Sequence, residues 1–375
     1  MTRKFKSIIL ALSAVLICVP VTDVYAAKKK KSKAKKEYIY PGPEGWNEVD
    51  PEKYGFDKEK IKEVRRIFTE ETRVTGVVAI CGGEMIFKYG DIEELSYLAS
   101  CRKSVLSMLY GKYVDNGTID LDKTIGELGI DDVQGLTEQE KKATVRHLIQ
   151  SRSGIYHPAS NPGSASGMPD RGTIPPGGKF HYNNWDFNAA GTAFELMTGK
   201  NIYDAVGEDI AIPIEMQDWD RKRQKKGGNP KYSHHRAYHF NFSTRDMARI
   251  GYLMLREGKW KDQQIIPKWW VKESTSPHSP YSELSNNGKK KNAKYSYGYM
   301  WWLFDDQSPV NDWQYFGGYT ALGAFGQWIM VLPAVDMVIA VKTNSVYGRH
   351  GGGRGVEKAI DVLVHAKSKK KIKKK

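Results

Sequence analysis

Apolar residues recur along this chain with two periods, which divide it into a strand-bearing frame around a helical middle. From Asp57 to Thr72, Ile61, Val64, Ile67 and Phe68 fall at helical spacing. Val74 to Cys81 and Glu84 to Tyr89 are two apolar runs separated by Gly82-Gly83, which predicts a hairpin. A helix is expected from Ser100 to about Asp115, with Gly117 ending it. Leu136 to Gln150 reads as another helix, capped by Thr137 with Glu140 three residues on. Ser151 to Gly178, rich in Ser, Gly and Pro, reads as a loop. Helical spacing returns in Trp185 to Thr198, in Ser243 to Gly258 and, for a turn or two, in Pro267 to Ser274. Strands are expected at Gly298 to Phe304, Gly323 to Leu332 and Met337 to Val341, then a last helix from Gly355 to Lys367.

This order predicts an α+β fold. Two early strands and three late ones would form one five-stranded antiparallel sheet flanked by helices, with residues 117–245 as a mainly helical lobe. A cleft between such parts is where a site is expected.

The ends change the picture. Thr2 to Lys6 is basic, Ile8 to Val21 apolar, and Val24-Tyr25-Ala26 small-x-small, so residues 1–27 read as a signal peptide and the mature chain as secreted or periplasmic. Residues 28–53 read as a basic and Pro/Gly-rich linker, 54–366 as the folded domain and 367–375 as a basic tail. The formal charge of +15 is concentrated in two tracts of seven lysines, Lys28–Lys36 and Lys367–Lys375; without these and the leader the body is near −1. Such tails suit an anionic envelope polymer or a membrane surface. No arginine- and aromatic-laced module accompanies them, so no specific nucleic-acid partner is expected. The oligomeric state is left open. Cys81 and Cys101 can be a disulfide or two free thiols.

Candidate chemistry centres on Tyr97 to Met108, YLASCRKSVLSM. Within it, Ser100 and Lys103 form a Ser-x-x-Lys that would share one helix face. An amine that accepts the hydroxyl proton turns serine into a nucleophile. Two other Ser-x-x-Lys matches, at Ser32 and Ser368, lie in lysine tracts. Tyr182-x-Asn184 follows a Pro-Pro-Gly-Gly turn and is the chain's single Tyr-x-Asn. Its phenol could relay protons if its pKa fell toward neutrality. The glycine-punctuated run Phe316 to Gln327 could offer backbone N–H groups to an oxyanion, with the N–H of Ser100 as the second donor. His234, His235 and His239 lack a partnering Glu or a fourth ligand, so no metal is expected. Gly351-Gly352-Gly353 lacks a following Lys-Ser/Thr, so no phosphate loop is read there and no cofactor is expected.

These stretches together resemble the serine beta-lactamase and penicillin-binding-protein superfamily, most of all its class C-like branch of esterases, peptidases and 6-aminohexanoate-oligomer hydrolases. The resemblance runs from about Tyr54 to His365. It is carried by LASCRKSVLSMLYGKYVDNGTIDLD, TVRHLIQSRSGI, PGGKFHYNNWDFNAAG, STRDMARIGYLMLREGKW and GAFGQWIMVLPAVDMVIAV, in that order. It implies an acyl-enzyme on Ser100, with Lys103 as its base or as the group keeping Tyr182 ionised. Tyr182 would shuttle the proton and Asn184 would hold Lys103 or substrate. It also implies an oxyanion donor at the backbone of Ala321 or close by, Ala324 included, and substrate contacts at Tyr319, Gly323 and Trp302.

The third family motif departs from the pattern. Gly318-Tyr319-Thr320 stands where a cation is usual, which favours neutral ester or amide substrates over beta-lactams. The expectation is therefore an exported serine hydrolase acting on a small-molecule ester or amide. The alternatives are a D-Ala-D-Ala carboxypeptidase or beta-lactamase, and a catalytically silent relative that binds an envelope polymer.

Overall fold

A computed structural model describes residues 37–368, apart from 162, 164–166, 286–293, 305–308, 311 and 349–352. The expected leader and the first lysine tract lie outside the described residues, as does the second beyond Ser368.

Among the described residues, seven strands form one sheet. They are β1 (Gly76–Cys81), β2 (Glu84–Gly90), β3 (Ser296–Tyr297), β4 (Trp302–Leu303), β5 (Tyr319–Gly323), β6 (Gln327–Leu332) and β7 (Met337–Lys342). Their spatial order is β2-β1-β7-β6-β5-β4-β3, and every pairing is antiparallel. The expected α+β class holds, but the expected five strands are seven. The run expected as one strand from Gly323 to Leu332 begins in a hairpin. Its turn is Ala324-Phe325-Gly326, with φ of +68° at Phe325 and +89° at Gly326. The run Gly298 to Phe304 yields only Trp302-Leu303, because Met300 at φ +61° breaks it. Its neighbour β3 is two residues long, too short to show a period.

Both faces of the sheet are covered, which is why its central strands read as unbroken apolar runs. In β1, Val78 and Ile80 enter one core and Val77, Ala79 and Cys81 the other. Helices α1 (Lys58–Glu70) and α6 (Arg354–His365) supply the second core through Val64, Ile67, Phe68, Ile360 and Leu363. The first core is formed around α2 (Cys101–Asp115) and also holds α3 (Val145–Gln150), α4 (Asn184–Thr198) and α5 (Thr244–Leu255). Helix α2 is buried on nearly every side, with only Lys112, Val114 and Asp115 not buried, so it runs through the body rather than over it.

The helix expected over 136–150 is broken. Thr137 and Glu140 do exchange hydrogen bonds, N–H to Oε2 at 2.8 Å and N–H to Oγ1 at 3.2 Å, but they cap a single 3-10 turn. Ala143 is extended, and a second reciprocal cap between Thr144 and His147 restarts the chain as α3. Arg171 pairs with the buried Glu140 carboxylate at 2.5 Å and ties this turn to the long loop that precedes Tyr182.

Residues 38–53, expected as linker, lie on the body. Trp46 is buried, donates from Nε1 to the Arg245 carbonyl at 3.2 Å and meets the Tyr252 ring edge-on at 5.5 Å. No helix among the described residues is long and apolar enough to cross a membrane.

Candidate active site

The turn into α2 aims Ser100. Leu98 is held by a 2.9 Å bond from its N–H to the Phe240 carbonyl. Ala99 then adopts φ +50°, a left-handed conformation unfavourable for a residue with a Cβ. Ser100 caps the helix, and its side chain makes no capping bond. Its hydroxyl is thus available to a partner, and its N–H precedes the first intrahelical donors.

Lys103 lies one turn on and is 1% exposed. Its Nζ lies 3.0 Å from Ser100 Oγ, 2.5 Å from the Tyr182 hydroxyl and 2.7 Å from Asn184 Oδ1. The sequence separations are 3, 79 and 81, so the fold assembles these four side chains. Tyr182 also hydrogen-bonds Ser100.

Burial pushes the Lys103 amine well below the usual lysine range, and the neighbouring Arg102 charge adds to this. The three oxygens around Nζ can accept the three N–H bonds of an ammonium; a free amine meets them equally by donating to the Asn184 carbonyl and one hydroxyl and accepting from the other. Tyr182 is pushed up to about 12, chiefly by burial, with the Ser100 bond and Arg102 acting in the opposite direction. The phenol is therefore neutral at pH 7. The fall toward neutrality that proton relay by this phenol would call for is thus not seen.

The loop carrying Tyr182 is braced from three directions. Ser151, at φ +56°, donates to the His181 carbonyl at 2.7 Å and accepts from the Asn183 N–H at 3.1 Å. Asn183 donates from Nδ2 to the Ile155 carbonyl at 2.8 Å. Glu283 accepts from the Phe180 N–H at 2.9 Å and pairs with Arg152 at 2.7 Å. Sequence reasoning missed these residues. Ser151 lay within a recognised stretch, whereas Glu283, 103 residues from Phe180, gave no local signal.

Trp302, an expected substrate contact, is half-buried and stacks on Tyr182 with centroids 5.4 Å apart at 26°. It therefore forms a wall for the phenol. Gly323, the end of β5, lies beside Ser100. A Cβ built there would lie 2.8 Å from the Leu98 carbonyl, 2.9 Å from Gln327 Cβ and 3.1 Å from the Ser100 nitrogen.

Two expected positions are corrected. Tyr319 is buried with its ring edge-on to Trp301 at 5.4 Å, and it offers substrate little surface. Ala321 is fully buried opposite Ile329. The Phe304 N–H donates to the Gly318 carbonyl at 2.9 Å, so Gly318, Thr320 and Leu322 direct their backbone groups toward β4, while Ala321 directs its own toward β6. The Ala321 N–H thus belongs to the ladder. Ala324, next to Gly323, is exposed.

Cys101 fits the same arrangement. It is a buried free thiol, as is Cys81, and its S–H donates to the Gln327 carbonyl at 3.2 Å. Gln327 in turn bridges to Thr343, from Nε2 to the carbonyl at 2.6 Å. The residue between nucleophile and lysine thus pins the start of α2 to the head of β6. Of the histidines weighed as ligands, His235 bonds Thr192 at 3.0 Å and His239 stands edge-on to Tyr97 at 5.0 Å. They are not gathered around a common centre.

Gly323→Ala is expected to lower the rate of Ser100 acylation by about 10²-fold, because the added methyl must displace backbone at the nucleophile. Stopped-flow acylation with an activated ester would measure this, alongside a thermal melt to show the sheet intact.

A sheet covered on both faces, a buried helix led by Ser-x-x-Lys and a Tyr-x-Asn loop closing on the lysine define a beta-lactamase-like fold. The chain belongs to the beta-lactamase family, whose model matches residues 68–361. It is similar to an uncharacterized protein of Alkalihalophilus pseudofirmus, 22% identical over 273 residues, covering 68% of this chain and 75% of that one. Among solved structures it is similar to a Bacillus anthracis protein assigned as a 6-aminohexanoate-dimer hydrolase, with TM-score 0.61, 19% identity and coverage of 88% and 90% of the two chains. It is also similar to EstCE1, a hydrolase with promiscuous acyltransferase activity, with TM-score 0.58, 15% identity and coverage of 82% and 98%.

Proposed function

We propose that this chain is an exported serine hydrolase that opens neutral esters or amides through an acyl-enzyme on Ser100. One observation carries the reading: a buried amine in simultaneous contact with Ser100, Tyr182 and Asn184. Lys103 takes the hydroxyl proton as Oγ attacks the carbonyl carbon. The oxyanion is received by the N–H of Ser100 and that of Ala324. As the tetrahedral intermediate collapses, the proton passes from Lys103, through the Tyr182 hydroxyl, to the leaving oxygen or nitrogen. Water then attacks the acyl carbon, its proton drawn off through Tyr182 toward Lys103; as the second tetrahedral intermediate collapses, that proton returns from Lys103 to Ser100 Oγ and the carboxylic acid leaves.

The strand segment beside the nucleophile supports the substrate class. Ala321-Leu322-Gly323 has no cation, nor does Gly318-Tyr319-Thr320. The names of the two structural neighbours point the same way, toward amide hydrolysis and acyl transfer. The lysine tracts would hold the enzyme near an anionic envelope polymer or membrane surface.

A panel of p-nitrophenyl esters, linear amides and a chromogenic cephalosporin tests the assignment. Turnover of esters or amides with little cephalosporin hydrolysis is expected. Prompt cephalosporin turnover without ester cleavage would replace this reading with a beta-lactamase. Binding of envelope polymer with no turnover of any substrate would replace it with a silent relative.

A further inference from the structure

Arg102 lies between Cys101 and Lys103 and is 1% exposed. A guanidinium remains charged when buried and is normally matched by a carboxylate. Here it is not. Its Nη2 donates to Asn188 Oδ1 at 2.7 Å, its Cζ lies 4.3 Å from the centre of the Tyr238 ring, and its Nη1 is buried without a hydrogen-bond partner. No ion pair to it is found among the described residues. Asn188 is held in turn by Ser160 and Asn161, so its carbonyl cannot swing away freely.

The placement relative to Lys103 is specific. Lys103 reaches Asn184 on α4 and Arg102 reaches Asn188, both at 2.7 Å. Residues four apart lie one above the other on a helix, about 6 Å apart. Two basic side chains from the same turn of α2 thus grip successive rungs of α4.

The groups around this pair leave the arginine charge unbalanced. Tyr97 precedes α2, Tyr182 precedes α4, and Tyr203, Tyr238 and Tyr297 stand on other elements; burial raises all five phenols, so they are neutral at pH 7. The Cys101 thiol is likewise raised, and the Asp186 carboxyl on α4 is pushed well above its ordinary range. His239 falls to about 4, mainly through burial and then through Arg102.

We infer that Arg102 is a positioning residue whose uncompensated buried charge keeps Lys103 a free amine, ready to take the Ser100 proton. This rests on the acyl-enzyme reading of Ser100, but it can be tested apart from it. A cation fixed beside the amine opposes its protonation in a setting where little solvent screens the two. The same field favours negative charge developing on substrate or on Tyr182.

The experiment compares wild type, Arg102→Lys, Arg102→Met and Asn188→Asp. The last places a carboxylate against the guanidinium and neutralises it without removing it. Lysine side-chain NMR, with the Lys103 signal assigned by its loss in Lys103→Met, gives the titration midpoint directly. Phosphonylation of Ser100 by a fluorophosphonate, followed across pH, gives the acid limb. In Arg102→Met and in Asn188→Asp both are expected to move up by about one pH unit, while Arg102→Lys stays near wild type. Should Arg102→Met fail to fold, Asn188→Asp decides. An unchanged midpoint in a folded, neutralised variant overturns the inference, leaving Arg102 as packing. If no serine in wild type is phosphonylated yet the midpoint still follows the Arg102 charge, the hydrolase reading fails and this one stands.

Discussion

Ser100→Ala is expected to lower ester turnover by about 10⁴-fold or more while leaving the melting temperature within a few degrees of wild type. In the proposed mechanism this hydroxyl oxygen forms the covalent bond. The fold should not suffer. Ser100 makes no side-chain capping bond, and its hydroxyl bonds Lys103 and Tyr182. Turnover of a p-nitrophenyl ester by the purified variant, with circular dichroism, measures both. Residual turnover within tenfold of wild type would mean that another group is the nucleophile.

Replacing Lys103 comes second in size. Lys103→Met is expected to slow acylation by about 10³-fold, within the range for losing a positioned general base. Lys103→Arg should be no better, since a guanidinium keeps its protons and offers no lone pair. The pH dependence follows from the direction of the shifts. Burial and Arg102 hold the Lys103 amine well below the ordinary lysine value. The active form is the free amine, so kcat/KM should rise with pH through that depressed pKa and then level. Tyr182, raised to about 12, should add no alkaline limb below about pH 10. A rate that falls as pH rises through neutrality would require a protonated Lys103 and a phenolate Tyr182, the opposite assignment. Activity of Lys103→Arg near wild type would contradict the base role outright.

The sequence disclosed the frame and the site to different depths, for physical reasons. β1, β6 and β7 were legible because a strand buried on both faces is apolar at every position. The β5–β6 hairpin was not, because its turn is Ala324-Phe325-Gly326 rather than a polar pair, and an aromatic there reads as more strand. The helix expected over 136–150 failed because a sound local cap, Thr137 with Glu140, is followed by a second cap at Thr144. Local chemistry named the cap correctly but could not count the turns after it.

At the site, Ser100, Lys103, Tyr182 and Asn184 were legible as residue types in ordered motifs, and the fold brings them into contact. The oxyanion strand was placed too early. Ala321 is turned toward β6, and the backbone next to the nucleophile is that of Gly323. Register of this kind depends on which neighbour a strand pairs with, and a single strand does not carry it. Cys101 and Arg102 were opaque for a related reason. Their partners, the Gln327 carbonyl and Asn188, lie 226 and 86 residues away.

The most direct measurement is peptide mapping by mass spectrometry after wild-type protein is treated with a fluorophosphonate. The proposed acyl-enzyme predicts one adduct, on the peptide carrying Ser100, formed faster as pH rises through the Lys103 titration and absent from Lys103→Met on the same timescale. An adduct on a different serine, or none on folded protein, would contradict it.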